Sequence, residues 1–469
     1  MRFHARAQTN AVVTAAIILA GLGLSLAVTL PGLLSSDSIY QLLEGRRGAY
    51  ANWHPPVMSW LLGVFDALVP GSSLFVIFDS ALLFGGLLSV LFLRRQPKPS
   101  WVAALVALIL VVSPQFVIYP GTVWKDVLFA GTNVVGFVFL AYAAAHWPNV
   151  RLRFGLIALS FLMLAVAALV RQNGAVLAPA AAIALGWIAA RETSIHGASF
   201  RRGVIYGTAA FVGLTLLALA GRAALETRVV GNSGPDVQIT QLQAYDVIGA
   251  LKLRPSLKLD AIAPNDPDLA HELRTHGVVY YSPERIDTLT NSAPLWTAIN
   301  NADPHVIAAQ WVNLVLHHTG LYLKVRLEVF RWVFATPDLL VCLPSDAGID
   351  GAPDALQALG MAQRWDDRDQ ALYDYGHDFI GTPVLSHVSM AVLSVFALVV
   401  LLWRRRPVDI AIAAMLAAGL VFTMTFFVIS IACDYRYLYF LDVSAMTALF
   451  YLALDVPSFA DWVRYNWPS

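Results

Sequence analysis

The chain has 469 residues, of which 58% are hydrophobic and 13% charged, with a formal net charge of zero and a mean hydropathy of +0.63. Soluble domains carry about 25% charged residues, so this composition excludes a water-facing globular protein for most of the chain and makes lipid its solvent. The balanced charge gives a nucleic-acid partner no footing. Two cysteines, Cys342 and Cys433, exclude a disulfide framework and a cysteine metal site. Unpaired thiols are expected, since a single bridge would require both to face an oxidising compartment.

Arg2 and Arg6 precede an apolar run from Ala11 to Leu30. That run is long enough to span a bilayer and lacks a small-x-small cleavage site, so it reads as an uncleaved first membrane helix. Spans follow at 74–93, 101–119, 126–145, 154–170, 175–190 and 203–223, then at 383–403, 408–430 and 435–455. The pattern predicts an all-α polytopic membrane protein of about ten transmembrane helices, because a backbone in lipid must satisfy its own hydrogen bonds. It divides into a seven-helix module at 1–223 containing a first outer loop at 32–73, an insert at 224–382, and C-terminal helices with a short tail at 383–469. Turn signals such as Asn232-Ser-Gly-Pro235 and helix-like stretches near 304–335 make the insert a mostly helical extracytoplasmic domain. Its part at 311–333 mixes aromatic and aliphatic residues with His and Arg and is expected along the membrane surface.

Alternate short connections carry Arg2/Arg6, Arg94/Arg95/Lys98, Arg151/Arg153, Arg191/Arg201/Arg202 and Arg404/Arg405/Arg406. About fourteen basic residues fall on that side against about five on the other. The basic side is therefore expected in the cytoplasm with both termini, as in a multi-pass protein of a bacterial cytoplasmic membrane.

The unusual polar residues then gather on the opposite, extracytoplasmic face. The first outer loop contains Asp37, Gln41, Glu44-Gly-Arg-Arg47 and His54-Pro-Pro56. The next turns contain Trp124-Lys-Asp126 and Arg171-Gln-Asn-Gly174, and the last Cys433-Asp-Tyr-Arg-Tyr437. Lys125, Arg171 and Arg436 run against the charge bias of outer turns, which points to an anion. Each residue singly has a bland reading: Asp37 a solvated loop or cap residue, His54 a turn histidine, Lys125 and Asp126 a snorkelling lysine and an N-cap, the arginines interface anchors. Glu44 can simply pair with Arg46 or Arg47, and Asp79, inside a span, fits interhelical packing.

An Asp after the first helix, a Gln, and a His-Pro-Pro entering the next resembles the C-type (GT-C) membrane glycosyltransferases. Trp124-Lys-Asp126, Arg171-Gln-Asn-Gly174 and Asp434-Tyr-Arg-Tyr437 are similar to later outer-turn motifs of bacterial relatives of the protein O-mannosyltransferases and the lipid A aminoarabinose transferase. The resemblance covers 1–223 and the last two helices, whereas 224–382 matches nothing in those relatives. It implies inverting transfer of a sugar from a polyprenyl-phosphate-linked donor to an envelope glycan, lipid or protein acceptor. Asp37 would be the general base, Lys125, Arg171 and Arg436 would hold the donor phosphate, and His54, Asp126, Gln41 and Asn173 would shape the site or meet the acceptor. No cofactor is demanded; a divalent metal on His54, Asp37 and Asp126 is conceivable, but no ligand spacing compels it.

Two rivals are a transporter or flippase and a non-catalytic envelope assembly protein. The first predicts internal repeats and interrupted helices at mid-membrane, and the second leaves the outer cations unexplained. The topology is testable by itself: on a background without other free thiols, a cysteine near 260 should react with an impermeant reagent from outside, and one at 98 should not. The reverse pattern would overturn the orientation.

Overall fold

The structure is a computed structural model that describes residues 2–51, 53–94, 100–192, 199–230 and 235–456. Asn52, Arg95, Lys98, the turn residues at 232–234 and the tail beyond 456 lie outside the described residues. Among those described, all regular structure is helical, with isolated bridges in place of strands.

Nine of the described helices are long and apolar enough to cross a membrane: Thr9–Thr29, Ser73–Leu93, Lys125–Ala145, Val150–Val170, Gln172–Arg191, Phe200–Glu226, His387–Arg404, Pro407–Ile429 and Tyr435–Leu454. They stand where the apolar runs predict them. The expected span at 101–119 differs, because Trp101–Val111 and Pro114–Gly121 meet at 74°. Pro114 disfavours the helical conformation at Ser113, which is extended (φ −78°, ψ 151°) and starts a new helix instead. The break carries residues 114–124 across the end of the bundle. Burial ranks the spans: 83% of the apolar window is buried in Lys125–Ala145 and in Tyr435–Leu454, against 11% in Phe200–Glu226, so the first two form the centre and the last offers its surface to lipid.

The first loop folds into two helices, Ser36–Arg47 and Pro56–Leu68. They approach backbone to backbone at Gly45 and Gly63, where a Cβ on either would collide with the other helix. The expected pairing of Glu44 with Arg46 or Arg47 is not formed. Glu44 instead accepts from the Ala51 N–H (3.2 Å) and the Ser59 hydroxyl (2.8 Å), holding loop and helix together. Arg46 forms a two-pronged pair with Asp66 (2.8 and 2.6 Å), because the second helix brings that carboxylate alongside. Asp79 is buried against Gly131, and its carboxylate has no hydrogen-bond partner among the described residues.

Within 224–382, residues from Ala244 to Val329 form a core of their own, whereas Val333, Leu339, Leu356 and Leu372 pack with the membrane helices. Cys342 and Cys433 are joined in a disulfide, which corrects the expectation of free thiols. The segment around 342 folds back on the last turn, and the Tyr435 N–H donates to the Cys342 carbonyl (2.8 Å), placing the two sulfurs together across 91 residues.

The insert is also locked to the bundle by one buried arginine. Arg326 and Asp246 are both fully buried and pair at 2.9 Å. Arg326 further donates to the carbonyls of Phe427 and Ser430 (2.8 Å each) at the C-terminal end of Pro407–Ile429, and Trp311 donates to the other Asp246 oxygen (2.9 Å). A cation there satisfies carbonyls that the helix leaves open. Arg326→Met leaves the buried Asp246 without its counter-ion, and should cost about 3–5 kcal/mol. In thermal unfolding of the purified protein, Arg326→Met/Asp246→Leu should recover part of that loss; no loss in the single variant would refute the role.

Candidate active site

Three tight turns and the first outer helix converge at one end of the bundle. Leu33 pairs with Thr122, Leu34 with Ile349, and Ile349 with Arg364; these backbone bridges fix the start of Ser36–Arg47. Ser38 accepts from the Ser35 N–H (3.3 Å) and donates to the Val123 carbonyl (2.6 Å). Asp37 therefore sits in the first turn of a clamped helix, where a negative charge suits the helix N-terminus. The last turn is held by the disulfide and by the Ile286 N–H donating to the Ile431 carbonyl (2.8 Å). That brings Arg436 within 2.8 Å of Asp37, although 399 residues separate them.

Arg436 is the hub. Besides Asp37, it reaches Asp434 (3.2 Å) and Asp126 (3.8 Å) and lies 4.8 Å above the Trp124 ring. Asp126, 2% exposed, is also ion-paired with Arg171. The Arg171 guanidinium is enclosed by Phe422, Phe426 and Tyr437 at 5.3–5.6 Å, so its main partners are a carboxylate and aromatic faces. On the other side of Asp37, His54 Nε2 stands 3.6 Å from Oδ1, and His54 Nδ1 is 2.9 Å from Lys125 Nζ. An ammonium only donates, so Nδ1 accepts and the ring proton sits on Nε2, facing Asp37. The Asp37 side chain keeps 38% of its surface exposed, against 13% for Arg436. It is the carboxylate of the cluster most open to an incoming molecule.

The electrostatics follow from burial and neighbours. Burial would raise the Asp37 carboxyl, but the His54 hydrogen bond and the charges of Arg436, His54 and Lys125 outweigh it and hold it well below the usual carboxylate range. Burial, then Lys125, push the His54 imidazole down, with Asp37 pulling the other way. Asp346, which approaches Arg436 from the segment after the disulfide, is pushed up to about 6 by burial, with Arg436 opposing.

The geometry thus brings Asp37, His54, Lys125, Asp126, Arg171 and Arg436 into one connected cluster. Gln41, one turn after Asp37, is buried, and its Nε2 has no hydrogen-bond partner among the described residues. Asn173 donates to the Thr425 hydroxyl (2.7 Å), inside the bundle. Among the described residues no group of three or more His, Cys, Asp or Glu is placed to hold a metal ion; Asp126 faces two guanidiniums instead. Sequence reasoning assigned no role to Asp434, which lies beside Arg436 in the same short motif, or to Asp346, whose Pro344-Ser-Asp-Ala-Gly348 context reads as an ordinary turn. A groove of about 760 Å³ between Leu177–Glu192 and Phe200–Glu226 is lined by other, mostly apolar residues.

No family model and no curated protein matches the sequence. Solved structures do. Archaeal oligosaccharyltransferase AglB from Archaeoglobus fulgidus, in complex with an inhibitory peptide and a dolichol-phosphate, is similar over 97% of this chain and 51% of its own, at 13% identity and a TM-score of 0.42. ArnT from Cupriavidus metallidurans bound to undecaprenyl phosphate is similar over 94% and 77%, at 15% identity and 0.32. The arabinosyltransferase EmbB from Mycobacterium smegmatis is similar over 89% and 41%, at 13% and 0.31. All three are GT-C glycosyltransferases, the class that the outer-turn motifs resemble. The chain spans about half the length of the archaeal oligosaccharyltransferases it is similar to.

Two opposed linkages are measurable in that cluster. A histidine depressed by burial stays neutral while the unfolded chain takes up a proton, so His54 costs stability as pH falls through about 6.5. Asp346 does the reverse: held up to about 6, it keeps its proton where the unfolded carboxyl has lost it, and it adds stability as pH falls from 7 to 5. Thermal midpoints at pH 7 and pH 5 should therefore shift in opposite senses: acidification should harm His54→Gln less than the wild type and Asp346→Asn more. Parallel pH profiles for all three proteins would remove both assignments.

Proposed function

We propose that the protein is a membrane glycosyltransferase that moves a sugar from a polyprenyl-phosphate-linked donor to an acceptor hydroxyl on the extracytoplasmic face, with Asp37 as general base. The observation that carries this reading is the partly exposed Asp37 carboxylate, held between Arg436 and His54 and backed by Lys125, where the chain leaves its first membrane helix. A lipid-borne phosphate is confined to that depth, and a carboxylate there can meet a hydroxyl.

The acceptor oxygen attacks the anomeric carbon while its proton passes to Asp37. The bond from that carbon to the phosphate oxygen breaks on the opposite side, its electron pair leaves with the lipid phosphate, and the configuration inverts. Charge develops on the leaving phosphate, and fixed cations stabilise it. Arg436 and Lys125 are the cations that border Asp37. Arg171, enclosed with Asp126, serves the phosphate by keeping that side of the cluster in place. The disulfide beside Asp434 and Arg436 supports an oxidising, extracytoplasmic location for this face, in agreement with the basic residues on the other. The same structures that resemble the chain include complexes with dolichol-phosphate and undecaprenyl phosphate, consistent with a lipid-phosphate donor here.

Asp37→Asn preserves shape but cannot take the proton, and should lower turnover on the order of a hundred- to ten-thousand-fold. Glu44→Gln, which touches only Ser59 and the Ala51 backbone, should lower stability more than turnover. Mass spectrometry of envelope glycans and lipids from cells carrying each variant reads the outcome and identifies the acceptor. Normal turnover in Asp37→Asn would remove the base assignment.

A further inference from the structure

We propose that Arg436 is a counter-ion shared between Asp37 and the donor phosphate: the arriving phosphate takes the guanidinium, and Asp37 is released as a base only in the loaded site. This rests on the transferase reading and adds to it the order in which the site becomes reactive.

The cluster is charge-balanced. Lys125, Arg171 and Arg436 supply three positive charges, and Asp37, Asp126 and Asp434 supply three negative ones. His54 is neutral, and at the edge Arg285 stands 4.0 Å from Asp434. The two arginines are already ion-paired with carboxylates, whereas Lys125 is hydrogen-bonded to His54. An anion that engages an arginine here must therefore take it from a carboxylate, since leaving a poorly solvated charge unpaired is costly.

Burial and bonding decide which carboxylate yields. Asp126 is 2% exposed and keeps Arg171 whatever Arg436 does. Asp434 is 14% exposed, next to the disulfide, with Arg285 as a second cation. Asp37 is 38% exposed and has Arg436 as its one arginine contact. While that contact lasts, the carboxylate is a weak base. Once the phosphate replaces it, Asp37 keeps the His54 contact at 3.6 Å and the influence of Lys125 but loses that of Arg436, and its proton affinity rises beside the acceptor hydroxyl. An acceptor arriving at an empty site meets a quenched carboxylate.

The test is equilibrium binding of a short polyprenyl methyl phosphodiester, which keeps a single charge across the working pH range, to detergent-purified full-length protein. Wild type, Asp37→Asn, Arg436→Gln and the double variant complete a cycle. Exchange predicts that Asp37→Asn binds the probe about tenfold more tightly, equivalent to about 1.4 kcal/mol, and that the gain vanishes without Arg436. Equal affinity of Asp37→Asn and wild type overturns the proposal. So does an undiminished gain in the Arg436→Gln background, which would reduce the effect to simple repulsion. If Arg436→Gln does not fold, Asp434→Asn replaces it: exchange predicts a gain at Asp37 alone, repulsion a similar gain at both. Failure of the transferase reading itself has a different signature, namely wild-type turnover by Asp37→Asn at any affinity.

Discussion

One guanidinium carries three distant parts of the chain. Arg436 touches carboxylates at 37, 126 and 434, one from the first outer helix, one from the central membrane helix and one from its own turn. A bilayer protein has little water with which to solvate charge, so charged groups at the ends of its spans persist by pairing with one another or by lining a cavity. Here they do both. The pairing sets the distances between the outer segments, and the opening at Asp37 leaves one side of the pairing exchangeable.

The elements around this cluster explain why it can be held so tightly by turns. Each turn is fastened from outside the membrane bundle: the first outer helix by bridges to 122 and 349, the last turn by the 342–433 disulfide and by backbone bonding to 286. The insert at 224–382 supplies several of those fasteners, and Arg326 ties its core to a membrane helix end. The insert thus has a physical task in this protein. It positions Asp434, Arg436 and Asp346 relative to the bundle, whatever further partner it contacts.

The broken helix has a comparable role. Apolar composition marks 101–119 as a span, and hydropathy cannot show that Ser113-Pro114 turns the chain through 74°. That turn sends Tyr119 beneath the site, where its ring stacks on Tyr439 at 4.7 Å and meets Trp124 edge-on at 5.7 Å. Trp124 in turn lies under Arg436. A local steric rule about proline is therefore felt one layer away, in the floor of the charged cluster.

Sequence alone determined the helical class, the position of nearly every span and the candidate residues Asp37, His54, Lys125, Asp126, Arg171 and Arg436, because lipid imposes a length and an apolarity that composition displays directly, and because a cation in an outer turn stands out against that background. It did not reveal the Cys342–Cys433 bridge, the partner of Glu44, the part taken by Asp434 and Asp346, or the burial of Gln41 and the inward bond of Asn173. Most of those depend on which segments meet across the chain: 91 residues for the bridge, 252 for Asn173, but only 15 for Glu44 and Ser59. Pairing across such separations is decided by packing and by the need to neutralise buried charge, and neither leaves a periodic trace in the chain. Only the tertiary structure could show that every cation expected to await a phosphate already has a partner.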